Sequence, residues 1–216
     1  MSPSTRRTTV KVCGLTRRED AAWALECGAD WLGFIVKASS PRAIAPEAAG
    51  EIVASLGGAT AVAVMVAPTP DEALALARAA GASRIQLHRV SPTGWPADFP
   101  LPCAFGLGVS EDGALHGELP PAPHLVLLDT AKAGMDGGTG ATFPWNAARA
   151  LASDRPVMLA GGLDGGNVAA AIATLHPFGV DASSRLESSP GIKDPERVRR
   201  FVAAVRECDE RIRQSS

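Results

Sequence analysis

The chain has 216 residues, 46% hydrophobic and 20% charged, which are proportions of an ordinary globular protein rather than a disordered or membrane-embedded one. Its 21 basic and 23 acidic residues nearly cancel, which argues against nucleic acid as a partner, since that needs many phosphates neutralised. No apolar run of about 7–15 residues follows the two arginines near the N-terminus, and no stretch reaches the roughly 18 apolar residues of a membrane span, so no membrane partner and a cytoplasmic location are expected.

Short apolar runs alternate with Ala-rich stretches of helical period along the whole chain. A first strand is expected at 9–13 (TVKVC), then a helix over 17–27 with Thr16 as a polar starter, a strand at 31–36 (WLGFIV) and a helix over 46–56. A strand at 60–66 and a helix over 70–80, started by Thr69, lead to the fourth strand at 83–88. The following SPTGWPADFP carries three prolines and has no room for a long helix, and after the fifth strand at 103–109 the segment 110–123 is similarly short and proline-rich. Strands at 124–129, 156–160 and 179–183 complete the set, with helices at 145–153, 164–174 and, after Asp194, 195–213. Residues 1–8 and 214–216 are expected to be frayed tails.

Eight strands in β/α order fit an open doubly wound sheet or a closed barrel, and periodicity does not separate the two. The distribution of polar residues does. They sit at the C-terminal ends of many strands, as in barrel enzymes, rather than at one switch point. The expected fold is a single α/β domain, a (β/α)₈ TIM barrel with shortened helices after strands 4 and 5.

Cys13 ends the first strand, where Gly14 permits a tight turn away from the mouth; alone it reads more readily as a buried apolar filler. Arg42 lies just beyond the second strand and is either a planar fork for a carboxylate or a solvated surface residue. His88 ends the fourth strand and is expected to line the site. Asp129 closes the apolar run LVLLD, where desolvation would raise its pKa and suit it to general-acid work; a structural, hydrogen-bonding aspartate is the alternative. Glycine-rich loops containing Gly138 and Gly140 after strand six and Gly161 and Gly162 after strand seven, with Asp181, Ser183 and Ser184 at strand eight, offer backbone N–H groups to a phosphate. The four cysteines form no C-x-x-C pair, so no metal and no redox motif are expected.

Read in order, VKVCGLT (10–16), ADWLGFI, SPR, IQLH, LLD, GGTGATFPW, LAGGL, GVDASS and PGIKD (190–194) resemble phosphoribosylanthranilate isomerase, the Amadori-rearrangement family of tryptophan biosynthesis, over nearly the whole chain. The resemblance implies Cys13 as general base, Asp129 as general acid and Arg42 as the grip on the anthranilate carboxylate. His88 and Asp181 would line the site, and the glycine loops with Ser183 and Ser184 would hold the phosphate. It implies a small phosphosugar substrate, no cofactor, and a monomer or homodimer. The thiol needs nearby positive charge or backbone donors to favour its thiolate.

Three departures from the family pattern stand out: Arg89 where a glycine commonly follows QLH, Arg185-Leu186 in place of Gly-Val, and Gly165-Gly166 in place of Pro-Glu. Arg185 would either strengthen phosphate binding or, at a positive φ, strain its turn. Two other readings are a histidine-pathway Amadori isomerase, whose first strand would end in aspartate rather than Cys13, and a catalytically silent sugar-phosphate-binding barrel. The histidine-pathway substrate carries two phosphates, yet the ends of strands three and four (MVAP, LHR) supply no second glycine cradle. The chain is therefore expected to be monofunctional, and comparable kcat/KM values on the two substrates would contradict this.

Overall fold

The computed structural model describes residues 7–130 and 143–215. Eight parallel strands form its centre: β1 (Thr9–Cys13), β2 (Trp31–Lys37), β3 (Thr60–Val66), β4 (Arg84–His88), β5 (Cys103–Val109), β6 (Leu125–Thr130), β7 (Val157–Leu159) and β8 (Gly179–Ala182). Each pairs with its neighbours in sequence, β4 pairs with β5, and β8 returns to β1. The sheet is thus a closed barrel, and the open-sheet alternative is excluded.

Alternation along each strand sorts the side chains. Val10, Val12, Leu32, Phe34, Val126, Leu128 and Val180 face outward into one buried cluster with the surrounding helices, including Val198, Phe201 and Val205. Lys11, Gln86, Leu127 and Met158 face inward and meet around a small cavity in the lower barrel. Full burial of each large apolar side chain is worth roughly 1.5–3 kcal/mol, so the outer layer is the main source of cohesion.

Among the described residues six α-helices cover the strands: α1 (Arg18–Glu26), α2 (Pro46–Ser55), α3 (Pro70–Ala79), α4 (Arg149–Asp154), α5 (Val168–Leu175) and α6 (Pro195–Gln214). Thr69 and Glu72 form a reciprocal capping box at the start of α3, and Asp194 accepts from the N–H groups of Glu196 and Arg197 at the start of α6. Thr16 does not cap α1. Its hydroxyl donates instead to the Gly191 carbonyl at 2.6 Å, tying the first loop to the last.

After β4 only a 3₁₀ turn, Pro92–Gly94, remains. After β5 the expected short helix is replaced by Leu115–His116, which pairs antiparallel with Gly108 and Val109. The turn 110–114 is closed by Ser110 N–H donating to the Ala114 carbonyl, and the prolines at 120, 121 and 123 leave no room to resume a helix. α5 begins four residues later than expected, because Asp164 Oδ1 accepts from Gly166 N–H and holds that stretch in a turn.

Neither described end is frayed as expected. Thr8 is buried, with its N–H and hydroxyl both donating to Asp209, and α6 runs through Gln214. Arg206 of α6 clasps the start of the barrel: it donates to the carbonyls of Thr8 and Gly28 and to Asp30, which itself accepts from Val10 N–H. Arg206→Met keeps the apolar stem and removes the fork. We expect it to lower stability by about 2–3 kcal/mol, measured by urea unfolding. An unchanged midpoint would mean that the clasp adds nothing net.

Candidate active site

The C-terminal ends of the strands surround an open cavity of about 510 Å³, within the range of small-molecule sites. Cys13, Arg42, His88, Asp129, Gly161, Gly162, Asp181, Ser183 and Ser184 all line it, so nine residues scattered over the sequence converge on one mouth. Gly138 and Gly140 lie outside the described residues.

Cys13 is buried at the end of β1, and Gly14 turns the chain away with φ +73°. On β6, Asp129 accepts from Thr130 N–H at 2.8 Å. Burial pushes its carboxyl up to about 6, against the Thr130 hydrogen bond. Gly161 (φ +85°) allows the β7 loop to pass close by: a Cβ there would lie 2.4 Å from Thr130 Oγ1 and 2.9 Å from Asp129 Oδ1. Asn167 braces this loop by donating to the Gly162 carbonyl and accepting from Asp164 N–H.

His88 sits above Gly106, with its Nε2 2.9 Å from the Gln86 amide nitrogen, which donates to it. Arg42 is not a solvated surface residue. Its Nε and Nη2 edge is held by Glu187 at 2.9–3.0 Å, and the residue lines the cavity. Glu187 also accepts from Lys193 at 2.7 Å, and Lys193 Nζ reaches the Ser183 carbonyl at 3.3 Å. The buried Arg42–Glu187–Lys193 chain therefore links the β2 side of the mouth to the β8 side.

The sequence reading passed over Lys11, Glu187 and Lys193. Lys11 is buried inside the ring and donates to Asp181 Oδ2 at 2.7 Å. The signal was its spacing: 11 and 13 share a face of β1. Asp181 Oδ1 is buried with no hydrogen-bond partner among the described residues. Burial pushes Asp181 up against the pull of Lys11, and burial likewise pushes the Cys13 thiol up despite the adjacent Lys11 ammonium. The expected low-pKa thiolate is thus not what this structure favours; burial outweighs the positive charge that is present.

Two of the three departures gain a local account. Arg89 adopts φ +54°, a conformation a glycine would take without strain, at a cost of about 1–2 kcal/mol. Arg185 does not have a positive φ; it lies in a 3₁₀ turn, and its Nη1 donates to Asp164 at 3.0 Å across the β7 and β8 loops. Among the described residues no group of three or more His, Cys, Asp or Glu is arranged to hold a metal ion.

Comparison with known proteins agrees with this geometry. The family model described as N-(5′-phosphoribosyl)anthranilate (PRA) isomerase matches residues 10–204. The N-(5′-phosphoribosyl)anthranilate isomerase of Rubrobacter xylanophilus is 42% identical over 208 residues, covering 91% of this chain and 98% of the relative. The phosphoribosyl anthranilate isomerase of Thermus thermophilus superposes with a TM-score of 0.79 at 33% identity, covering 93% of this chain and 99% of that one. Another structure of such an isomerase, in complex with reduced 1-(o-carboxyphenylamino)-1-deoxyribulose 5-phosphate, gives a TM-score of 0.75 at 28% identity, covering 93% of this chain and 99% of that one.

Burial opposes the charge on Glu187, but Arg42 and Lys193 outweigh it and hold the carboxyl below its ordinary value of 4.5. A depressed folded pKa stabilises the fold above the unfolded value and loses that contribution as pH falls through the folded one. Glu187→Gln strands the buried Lys193 and is expected to cost roughly 3 kcal/mol at neutral pH. The gap to wild type, read by urea unfolding, should narrow below pH 4.5. A constant gap would show that the charge on Glu187 is not what matters.

Proposed function

The chain belongs to the N-(5′-phosphoribosyl)anthranilate isomerase family, and from that premise we propose that its barrel mouth performs the Amadori rearrangement of tryptophan biosynthesis with Cys13 as base and Asp129 as acid. The reaction converts N-(5-phosphoribosyl)anthranilate into 1-(2-carboxyphenylamino)-1-deoxyribulose 5-phosphate. Its location is taken to be the cytoplasm. The observation that carries the site assignment is that a thiol and a carboxyl with a raised pKa line the same cavity as the glycine and serine loops and Arg42.

The substrate phosphate is assigned to the N–H groups of Gly161-Gly162 and Ser183-Ser184, and its carboxylate to Arg42. Asp129 gives its proton to the furanose ring oxygen. The C1–O bond breaks, and the nitrogen lone pair forms a cationic Schiff base. That cation acidifies the C2 proton, which Cys13 takes as thiolate. The electrons of the C2–H bond become the C1=C2 bond of an enolamine, which tautomerises to the ketone.

The reaction needs Asp129 protonated and Cys13 ionised. In the free protein the carboxyl titrates at about 6 and the thiol higher, so the reactive form is a minor arrangement of one proton shared between two sites. The majority arrangement, carboxylate and thiol, holds the same number of protons. The reactive fraction is therefore independent of pH between the two pKa values and falls outside them. The acid limb belongs to Asp129 and the alkaline limb to Cys13.

We expect kcat/KM to fall at low pH with a limb at about 6. Cys13→Ala and Asp129→Asn should each abolish most turnover while leaving product-analogue binding largely intact. Asp129→Asn should also be at least as stable as wild type at neutral pH. A carboxyl whose folded pKa is raised costs stability above that pKa and none below its unfolded value. An acid limb near the ordinary value of 3.8, or near wild-type kcat in either variant, would remove that residue from the mechanism.

A further inference from the structure

An ammonium in the middle of a barrel strand is expensive to bury unless it is paired, and even a paired one is often replaceable by apolar residues without loss of stability. Lys11 is 1% exposed, and its salt bridge to Asp181 at 2.7 Å accounts for its tolerance rather than its presence. A second neighbour accounts for the presence: Lys11 Nζ and the sulfur of Cys13 converge on the same space over Gly33.

Cys13 is opposite Gly33 in the β1–β2 register. A Cβ on Gly33 would lie 2.8 Å from Cys13 Sγ and 3.0 Å from Lys11 Nζ. The glycine leaves open the space into which both atoms lean, and so holds them within the roughly 4–6 Å over which an opposite charge moves a pKa.

We propose that Lys11 is a positioning residue for the general base: its ammonium, anchored by Asp181, holds the Cys13 sulfur as thiolate when the C2 proton is taken. The proposal rests on the reading of Cys13 as base. Among the described residues, the charged groups acting on Cys13 are Lys11 on its own strand, Asp181 on β8 and Lys193 beyond β8, with Asp129 of β6 and Arg42 beyond β2 on the same cavity wall, while β2 presents the uncharged Gly33. Burial, foremost, and Asp181 push the thiol up; Lys11 pulls it down, with a smaller contribution from Lys193. In the chemical step the C2 proton passes to sulfur, and the Lys11–Asp181 pair keeps its own protons throughout. Because the reactive form is the minor one, each unit by which Lys11 lowers the thiol pKa raises the reactive fraction tenfold.

The test is Lys11→Met in the whole chain, with iodoacetamide alkylation of Cys13 followed against pH by mass spectrometry of its peptide. The alkylation midpoint should rise by about one to three pH units, and kcat near neutral pH should fall by about 10- to 1000-fold, with KM little changed. The alkaline limb of the rate profile should move up with the midpoint, and Lys11→Arg should bring both back toward wild type. A merely structural lysine would lower the folded fraction and leave the midpoint of the folded protein where it was; that result overturns the proposal. Should Lys11→Met fail to fold, Lys11→Met/Asp181→Asn leaves no unpaired buried charge, and its midpoint must lie above that of Asp181→Asn alone. Absence of turnover by the wild type would defeat the reaction assignment, whereas the alkylation midpoint decides the Lys11–Cys13 coupling without substrate.

Discussion

Closure of the parallel ring is the constraint from which the rest follows. Once β4 meets β5 and β8 meets β1, all eight strands end at one rim, and residues far apart in sequence share one cavity. Closure also divides each strand into an outward apolar face and an inward face where apolar side chains such as Leu127 and Met158 pack beside polar groups that must be paired. Lys11 and Asp181 are tolerated on that inward face because they neutralise one another. The outward valines and leucines tie the ring to α1, α5 and α6, and Arg206 with Asp209 holds the final helix against the first strand.

The electrostatics of the mouth follow from the same enclosure. Low exposure strengthens every charge pair and raises every isolated acid or thiol. Among the described residues Asp129 has the Thr130 N–H bond and the more weakly felt Lys11 charge to set against burial, and its pKa rises; Glu187 has Arg42 and Lys193, so its pKa falls. Both carboxyls are mainly ionised at neutral pH, but Asp129 keeps a protonated minority that Glu187 lacks, and Asp129 rather than Glu187 lines the cavity. The raised carboxyl costs stability at neutral pH, which is the expected trade where a group serves chemistry rather than the fold.

Much of this was legible beforehand, for physical reasons. Apolar runs buried on both faces are unambiguous strands, and a polar residue terminating one, such as Cys13 or Asp129, marks the rim. What escaped depended on distance in sequence. Glu187 gains its meaning only when β8 brings it to Arg42, 145 positions away. Lys11 was in view beside Cys13, yet its partner Asp181 is 170 positions distant. A shortened helix was expected after the fifth strand, but the prolines of 110–123 and the turn at Ser110 favour a short antiparallel ladder. Gly165 needs the tertiary fold as well: a Cβ there would lie 3.0 Å from the Arg200 backbone of α6, which no local pattern records.

The central claim is that a base at the end of β1 removes a proton from C2 of the sugar while the ring opens under acid catalysis from β6. The most direct measurement is conversion of N-(5-phosphoribosyl)anthranilate deuterated at C2, with the product examined for the position of the label. The account predicts that deuterium is lost to solvent and that the labelled substrate reacts more slowly. No conversion, or conversion with the deuterium carried intact to C1 as a hydride shift would require, would contradict it.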